Sequence, residues 1–113
     1  MSSTLNLFVY GTLTDPSRLH EITGKSYSTS AAYLKDFKKL ASRFGYPYIV
    51  PHRGSTVKGL LVWDVDEHSL KRLDEYEDEG RFYFRKKVAV LCGGAKVSCE
   101  VYVGAPESLG RKP

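Results

Sequence analysis

The segment Leu73-Asp74-Glu75-Tyr76-Glu77 closes a predicted helix and leads toward a predicted strand, while Tyr10-Gly11-Thr12-Leu13 makes a turn between the first strand and a helix start. Together they suggest one carboxylate facing a backbone anion site. A positioned carboxylate can carry protons in either direction, and successive backbone N–H groups in a turn can hold an anion. Glycine in that turn lets a ligand come close to the chain. Each half also has a plainer reading. Glu77 is one of four acidic residues at a helix end that would face water, and a strand followed by a glycine turn usually just reverses the chain.

These segments need elements to position them. Leu5 to Tyr10 is apolar, rich in strand formers and stopped by Gly11, as expected of a central strand. Thr14 or Asp15 caps a short helix that has Pro16 in its first turn, runs through Ile22 and ends before Gly24. Residues 26–44 give a mixed signal, read as strands. Gly45-Tyr46-Pro47-Tyr48-Ile49-Val50-Pro51 holds two prolines and is expected to be an extended, partly buried loop of the kind that lines pockets. Arg53-Gly54-Ser55 reads as a turn and Val57 to Val65 as a strand, with Gly59 marking a bulge or a close backbone approach.

Asp66 caps a second helix in which Leu70, Leu73 and Tyr76 recur at helical spacing, leaving Glu67, Lys71, Arg72 and Glu75 for water and Asp78-Glu79-Gly80 to end it. Glu75, two residues before Glu77, should face elsewhere. Phe82 to Leu91 and Lys96 to Val103 read as strands joined by a tight Cys92-Gly93-Gly94-Ala95 turn. Tyr83 and Arg85 share a face of the first of them. The pattern predicts a single α+β domain over residues 1–113, with at least five strands in a closed or nearly closed sheet and a loosely held tail after about residue 104.

In order and spacing the chain resembles the gamma-glutamylcyclotransferase-like family. Tyr10-Gly11-Thr12-Leu13 is similar to the family's YGTL or YGSL turn, Leu73-Asp74-Glu75-Tyr76-Glu77 to its LDxxE segment, and Tyr83-Phe84-Arg85 to the YxR that follows. The resemblance implies a small mixed β-barrel with a few short peripheral helices. It also implies cyclisation of a γ-glutamyl group to 5-oxoproline with release of the attached amine or amino acid, and proton transfer by the glutamate that matches Glu77. Tyr10, Gly11, Thr12, Leu13, Tyr46, Tyr83 and Arg85 are the substrate-binding candidates. No metal or cofactor is expected, since the substrate carries both its nucleophile and its electrophile. Asp78 and Glu79 add negative charge near the site and are expected to disfavour acidic leaving groups such as that of glutathione.

The remaining features narrow the alternatives. In 113 residues, 17 Lys and Arg against 13 Asp and Glu give a net charge of +4, and the basic residues are scattered. That argues for a small-molecule substrate and no nucleic acid, an RNA-binding sheet of Tyr, Phe and Lys being the rival. No signal segment or long apolar span is seen, so a cytoplasmic location without membrane contact is expected, as a monomer or weak homodimer. Cys92 and Cys99 are expected as reduced thiols. His20, His52 and His68 lack metal-ligand spacing, and no serine sits in a nucleophile elbow. A catalytically silent member of the same fold, binding a small anionic or amino-acid-like ligand, is the other alternative.

Overall fold

Along the first strand, side chains alternate between two apolar environments. Leu7 and Val9 pack with Leu13, Leu19, Leu70 and Leu73, whereas Phe8 and Tyr10 pack with Leu34, Leu61, Val90 and Val101. A strand buried on both faces reads as a continuous apolar run, and Leu7 to Tyr10 is one. The computed structural model describes residues 3–42, 44–77 and 83–104. In chain order the elements are β1 (Thr4–Val9), a single 3-10 turn (Thr12–Thr14), α1 (Pro16–Thr23), β2 (Thr29–Ala41), β3 (Pro47–Asp66), α2 (Glu67–Glu77), β4 (Tyr83–Cys92) and β5 (Ala95–Gly104).

The five strands close into a barrel in the order β1-β3-β2-β4-β5. All pairings are antiparallel except the closing one, where β1 runs parallel to β5 with Leu7 opposite Glu100 and Phe8 opposite Val101. The fold is therefore α+β, a small mixed barrel. One apolar cluster consists of strand residues together with Tyr10, which directly follows β1; the other lies between the sheet and the helices. No helix among the described residues is long and apolar enough to cross a membrane.

Several expected elements are found in place. Asp15, of the two candidates, caps α1: its Oδ1 accepts from the Ser17 N–H at 2.9 Å. Asp15→Ala should lower stability by about 1 kcal/mol, read as a shift in the denaturant midpoint at constant slope. Asp66 Oδ2 likewise accepts from the Ser69 N–H at 3.2 Å at the start of α2. Gly93 and Gly94 take φ of 58° and 82°, the positive values that a two-residue turn between β4 and β5 demands.

Two expectations need correction. Residues 47–51 are not a loop, and Arg53-Gly54-Ser55 does not separate two strands; both belong to β3, a strand of 20 residues paired with β2 from Ala41↔Pro47 to Thr29↔Val62. The prolines are tolerated because Pro47 is the first residue of β3, next to the hairpin turn, and Pro51 lies beside an irregular step. At that step Asp36 alone on β2 faces residues 52–55 on β3, and its carboxylate accepts from the Gly54 N–H at 3.0 Å. The turn chemistry of 53–55 is thus absorbed in a bulge. The loosely held tail and the Asp78-Glu79-Gly80 stop lie outside the described residues.

Gly59 marks a close approach. A β-carbon there would lie 2.2 Å from the Val9 carbonyl oxygen and 2.8 Å from Cζ of Phe8. The missing side chain is what lets β3 press against the end of β1, just before the Tyr10–Leu13 turn.

Candidate active site

One end of β1, the turn that follows it, the hairpin tip before β3, the last turn of α2 and the facing parts of β4 and β5 enclose a cavity of about 450 Å3. Tyr10, Gly11, Thr12 and Leu13 form one side, with Tyr46 and Pro47 next to them. Glu75, Tyr76 and Glu77 come from α2, and Tyr83 and Tyr102 from the sheet. A β-carbon on Gly11 would lie 3.0 Å from Cγ of Pro47, so the turn and the hairpin tip are in close contact.

Glu77 is the last residue of α2 and is partly buried. It has no hydrogen bond or ion pair among the described residues. Burial without a compensating charge disfavours the ionised form and pushes the carboxyl up from 4.5 to about 7.

The buried phenols around it are in a different state. Burial, with the Glu77 charge adding to it, raises Tyr10, Tyr83 and Tyr102 well above the usual tyrosine range, so all three are neutral at pH 7. Each hydroxyl already donates: Tyr10 to the Tyr102 carbonyl, Tyr83 to the Pro47 carbonyl at 2.8 Å, and Tyr102 to Oδ1 of Asp74 at 2.6 Å. They therefore act as walls. Glu77 is left as the group whose charge changes near neutral pH.

The turn supplies complementary chemistry. The Gly11 carbonyl accepts from the Thr14 N–H at 3.0 Å and from Thr14 Oγ1 at 2.6 Å. The N–H groups of Gly11, Thr12 and Leu13 have no acceptor among the described residues, so they are available to an anion. Thr12 Oγ1 lies 3.0 Å from the Tyr76 hydroxyl, a bridge between the turn and α2.

The structure brings together Glu77, Tyr10, Gly11, Thr12, Leu13, Tyr46 and Tyr83 around the cavity, and it leaves out Arg85. The Arg85 guanidinium instead donates from Nη1 to both oxygens of Asp74, at 3.1 and 3.0 Å, and from Nε to Glu100 at 2.9 Å. Glu75, expected to face elsewhere, lines the cavity as well as an outer groove with Lys71 and Arg72. At a helix end the walls of a cavity reach residues two apart, which spacing on a cylinder does not anticipate. Phe8, Val9 and Tyr102 are wall residues that the motifs did not single out. Only the pairing of β4 with β5, which sets Tyr102 opposite Arg85, could have pointed to Tyr102. Asp78 and Glu79 lie outside the described residues. Among the described residues no three His, Cys, Asp or Glu side chains gather so as to hold a metal ion.

Comparison with known proteins agrees with this architecture. AIG2-like protein D of Arabidopsis thaliana is 30% identical over 112 residues, covering 93% of this chain and 72% of that protein. AIG2-like protein C of the same plant is 33% identical over 102 residues, covering 87% of this chain and 58% of that protein. The crystal structure of an AIG2-like protein from Mus musculus superposes with a TM-score of 0.71 at 27% identity, covering 96% of this chain and 84% of that one. The family model described as gamma-glutamyl cyclotransferase, AIG2-like, matches residues 7–113, from the first strand onward, and the chain belongs to that family.

Proposed function

We propose that this protein is a gamma-glutamyl cyclotransferase acting on small γ-glutamyl amines or amino acids, with Glu77 as its general acid and base. The observation that carries this reading is the Glu77 carboxylate, raised to about 7 and without a hydrogen bond or ion pair among the described residues, in a cavity shared with the Gly11–Leu13 turn. A base with that pKa is half ionised at neutral pH, where it can both accept and return a proton.

The substrate's α-carboxylate is held by the N–H groups of the turn, which brings its α-nitrogen toward Glu77. The α-ammonium gives a proton to Glu77, and the resulting amine bonds to the γ-carbonyl carbon. The bond from that carbon to the departing nitrogen then breaks. Two protons leave the α-nitrogen in turn and both end on the departing nitrogen, each carried by Glu77, so the carboxylate is regenerated. The products are 5-oxoproline and a free amine. Because attack is intramolecular, holding the chain of the γ-glutamyl group in a curled conformation supplies much of the acceleration. The tyrosine walls and Leu13 suit that task.

The test is 5-oxoproline release from a panel of γ-glutamyl amines and γ-glutamyl amino acids. Release from at least one class is expected; silence across the panel would favour a binding protein of the same fold.

The pH dependence follows from the sign of the shift. Glu77 must be ionised to accept the first proton, and its folded-state pKa is raised to about 7, so kcat/KM should fall tenfold per unit as pH drops below 7. An acid limb with a midpoint near 4.5 in the pH–rate profile would contradict this.

A further inference from the structure

We infer that Asp74 and Arg85, with the Tyr102 hydroxyl, form a positioning clamp that holds the last turn of α2 so that the Glu77 carboxylate is presented to the cavity. The inference rests on the proposed role of Glu77. Neither Asp74 nor Arg85 lines the cavity, so both act through Glu77 and not on substrate.

The need for a clamp arises from the helix itself. Glu77 is the last residue of α2, where helices fray, and the last turn holds no basic residue to balance the negative end of the helix. A carboxylate at that position gains by swinging into water. Something has to hold it against the cavity.

Asp74 lies three residues earlier, about 4.5 Å along the axis and on the same side of the helix. It is gripped from two directions. Arg85 on β4 delivers one nitrogen to both Asp74 oxygens, at 3.1 and 3.0 Å, and is itself held by Glu100 on β5 at 2.9 Å. Tyr102 on β5 donates to Oδ1 of Asp74 at 2.6 Å, and its carbonyl accepts from the Tyr10 hydroxyl. A continuous chain of hydrogen bonds thus runs Glu100–Arg85–Asp74–Tyr102–Tyr10, from the sheet through α2 to the residue that opens the anion-binding turn. The Asp74 and Arg85 side chains are both about a quarter exposed, so the pair is sheltered beyond the surface average. The planar guanidinium suits this grip; a lysine would supply charge without the second contact to Glu100.

Among the described residues, the ionisable groups that line the cavity with Glu77 are Tyr10 just after β1, Tyr46 from the hairpin tip, Tyr83 from β4, Tyr102 from β5, and Glu75 and Tyr76 from α2. None of them is a cation, so the pKa of Glu77 reports chiefly how well its carboxylate is kept from water.

Two variants loosen the clamp without changing any charge: Arg85→Lys, which loses the fork, and Tyr102→Phe, which loses the hydroxyl on Asp74. The titration of Glu77 is read by carboxyl-carbon NMR in the protein without substrate, assigned with Glu77→Gln. In folded variants the midpoint should drop from about 7 toward 4.5, by one unit or more. In Arg85→Lys, kcat at pH 7 should fall ten- to a hundredfold while KM stays within about threefold, because the turn that holds the substrate carboxylate is untouched. If one variant fails to fold, the other carries the test. A native midpoint and native kcat in a folded variant overturn the inference. A midpoint that drops in a protein whose native form releases no 5-oxoproline would keep the clamp and reject the cyclisation reading.

Discussion

Glu77→Gln is expected to lower 5-oxoproline release by about two to four orders of magnitude, the usual worth of a positioned general acid and base. Glutamine has nearly the same shape and leaves the turn and the tyrosine walls in place, so KM should change little and the loss should fall on kcat. The nearby carboxylate cannot substitute well: Glu75 is exposed and also borders the outer groove. Glu75→Gln should therefore leave most of the rate. Comparable losses in the two variants would move the chemistry off Glu77.

The same substitution should stabilise the protein at high pH. The folded-state pKa of Glu77 lies above its ordinary value, so burial favours the protonated form. Its contribution to stability is fully present below pH 4.5 and is lost as pH rises through about 7. Gln cannot ionise and escapes that loss. At pH 8 Glu77→Gln should exceed the native protein by on the order of 2 kcal/mol, allowing for partial exposure, and by nothing near pH 4. Denaturant unfolding at the two pH values checks both statements. A variant less stable than the native protein at pH 8 would mean that the carboxylate is well solvated after all.

Gly59→Ala should be severely damaging for the addition of a single methyl, costing about 3 kcal/mol or more. Its β-carbon would sit 2.2 Å from a backbone oxygen, that of Val9, and 2.8 Å from the fully buried ring of Phe8. Neither can yield like the far end of a flexible side chain. The strain would be relieved by parting β1 from β3, which pair through Val9↔Leu60, and that movement displaces the adjoining Tyr10–Leu13 turn. The expected outcome is a lowered melting temperature and, in whatever folds, a raised KM. Wild-type stability would show that β1 and β3 leave room for a methyl group at this position.

Much of this was readable along the chain because it depends on neighbours in sequence. The apolar run of β1, the Asp15 and Asp66 caps, the glycine pair between β4 and β5 and the order of turn, glutamate and tyrosine all express local geometry: an N–H needs an acceptor, and a two-residue turn needs positive φ. The errors came where distant residues decide. Pro47 and Pro51 would break a strand judged by itself, yet β2 offers an end and a bulge at which the missing N–H groups are not needed. Arg85 looked like a pocket residue because it shares a face with Tyr83. Asp74 and Glu100 claim its guanidinium instead, and they are reached only when α2 folds back over β4 and β5. The sequence by itself thus determined the elements, their caps and a carboxylate at a helix end. Only the tertiary structure decided that this carboxylate is sheltered and, among the described residues, without a cation beside it, because both depend on which strands close the barrel around it.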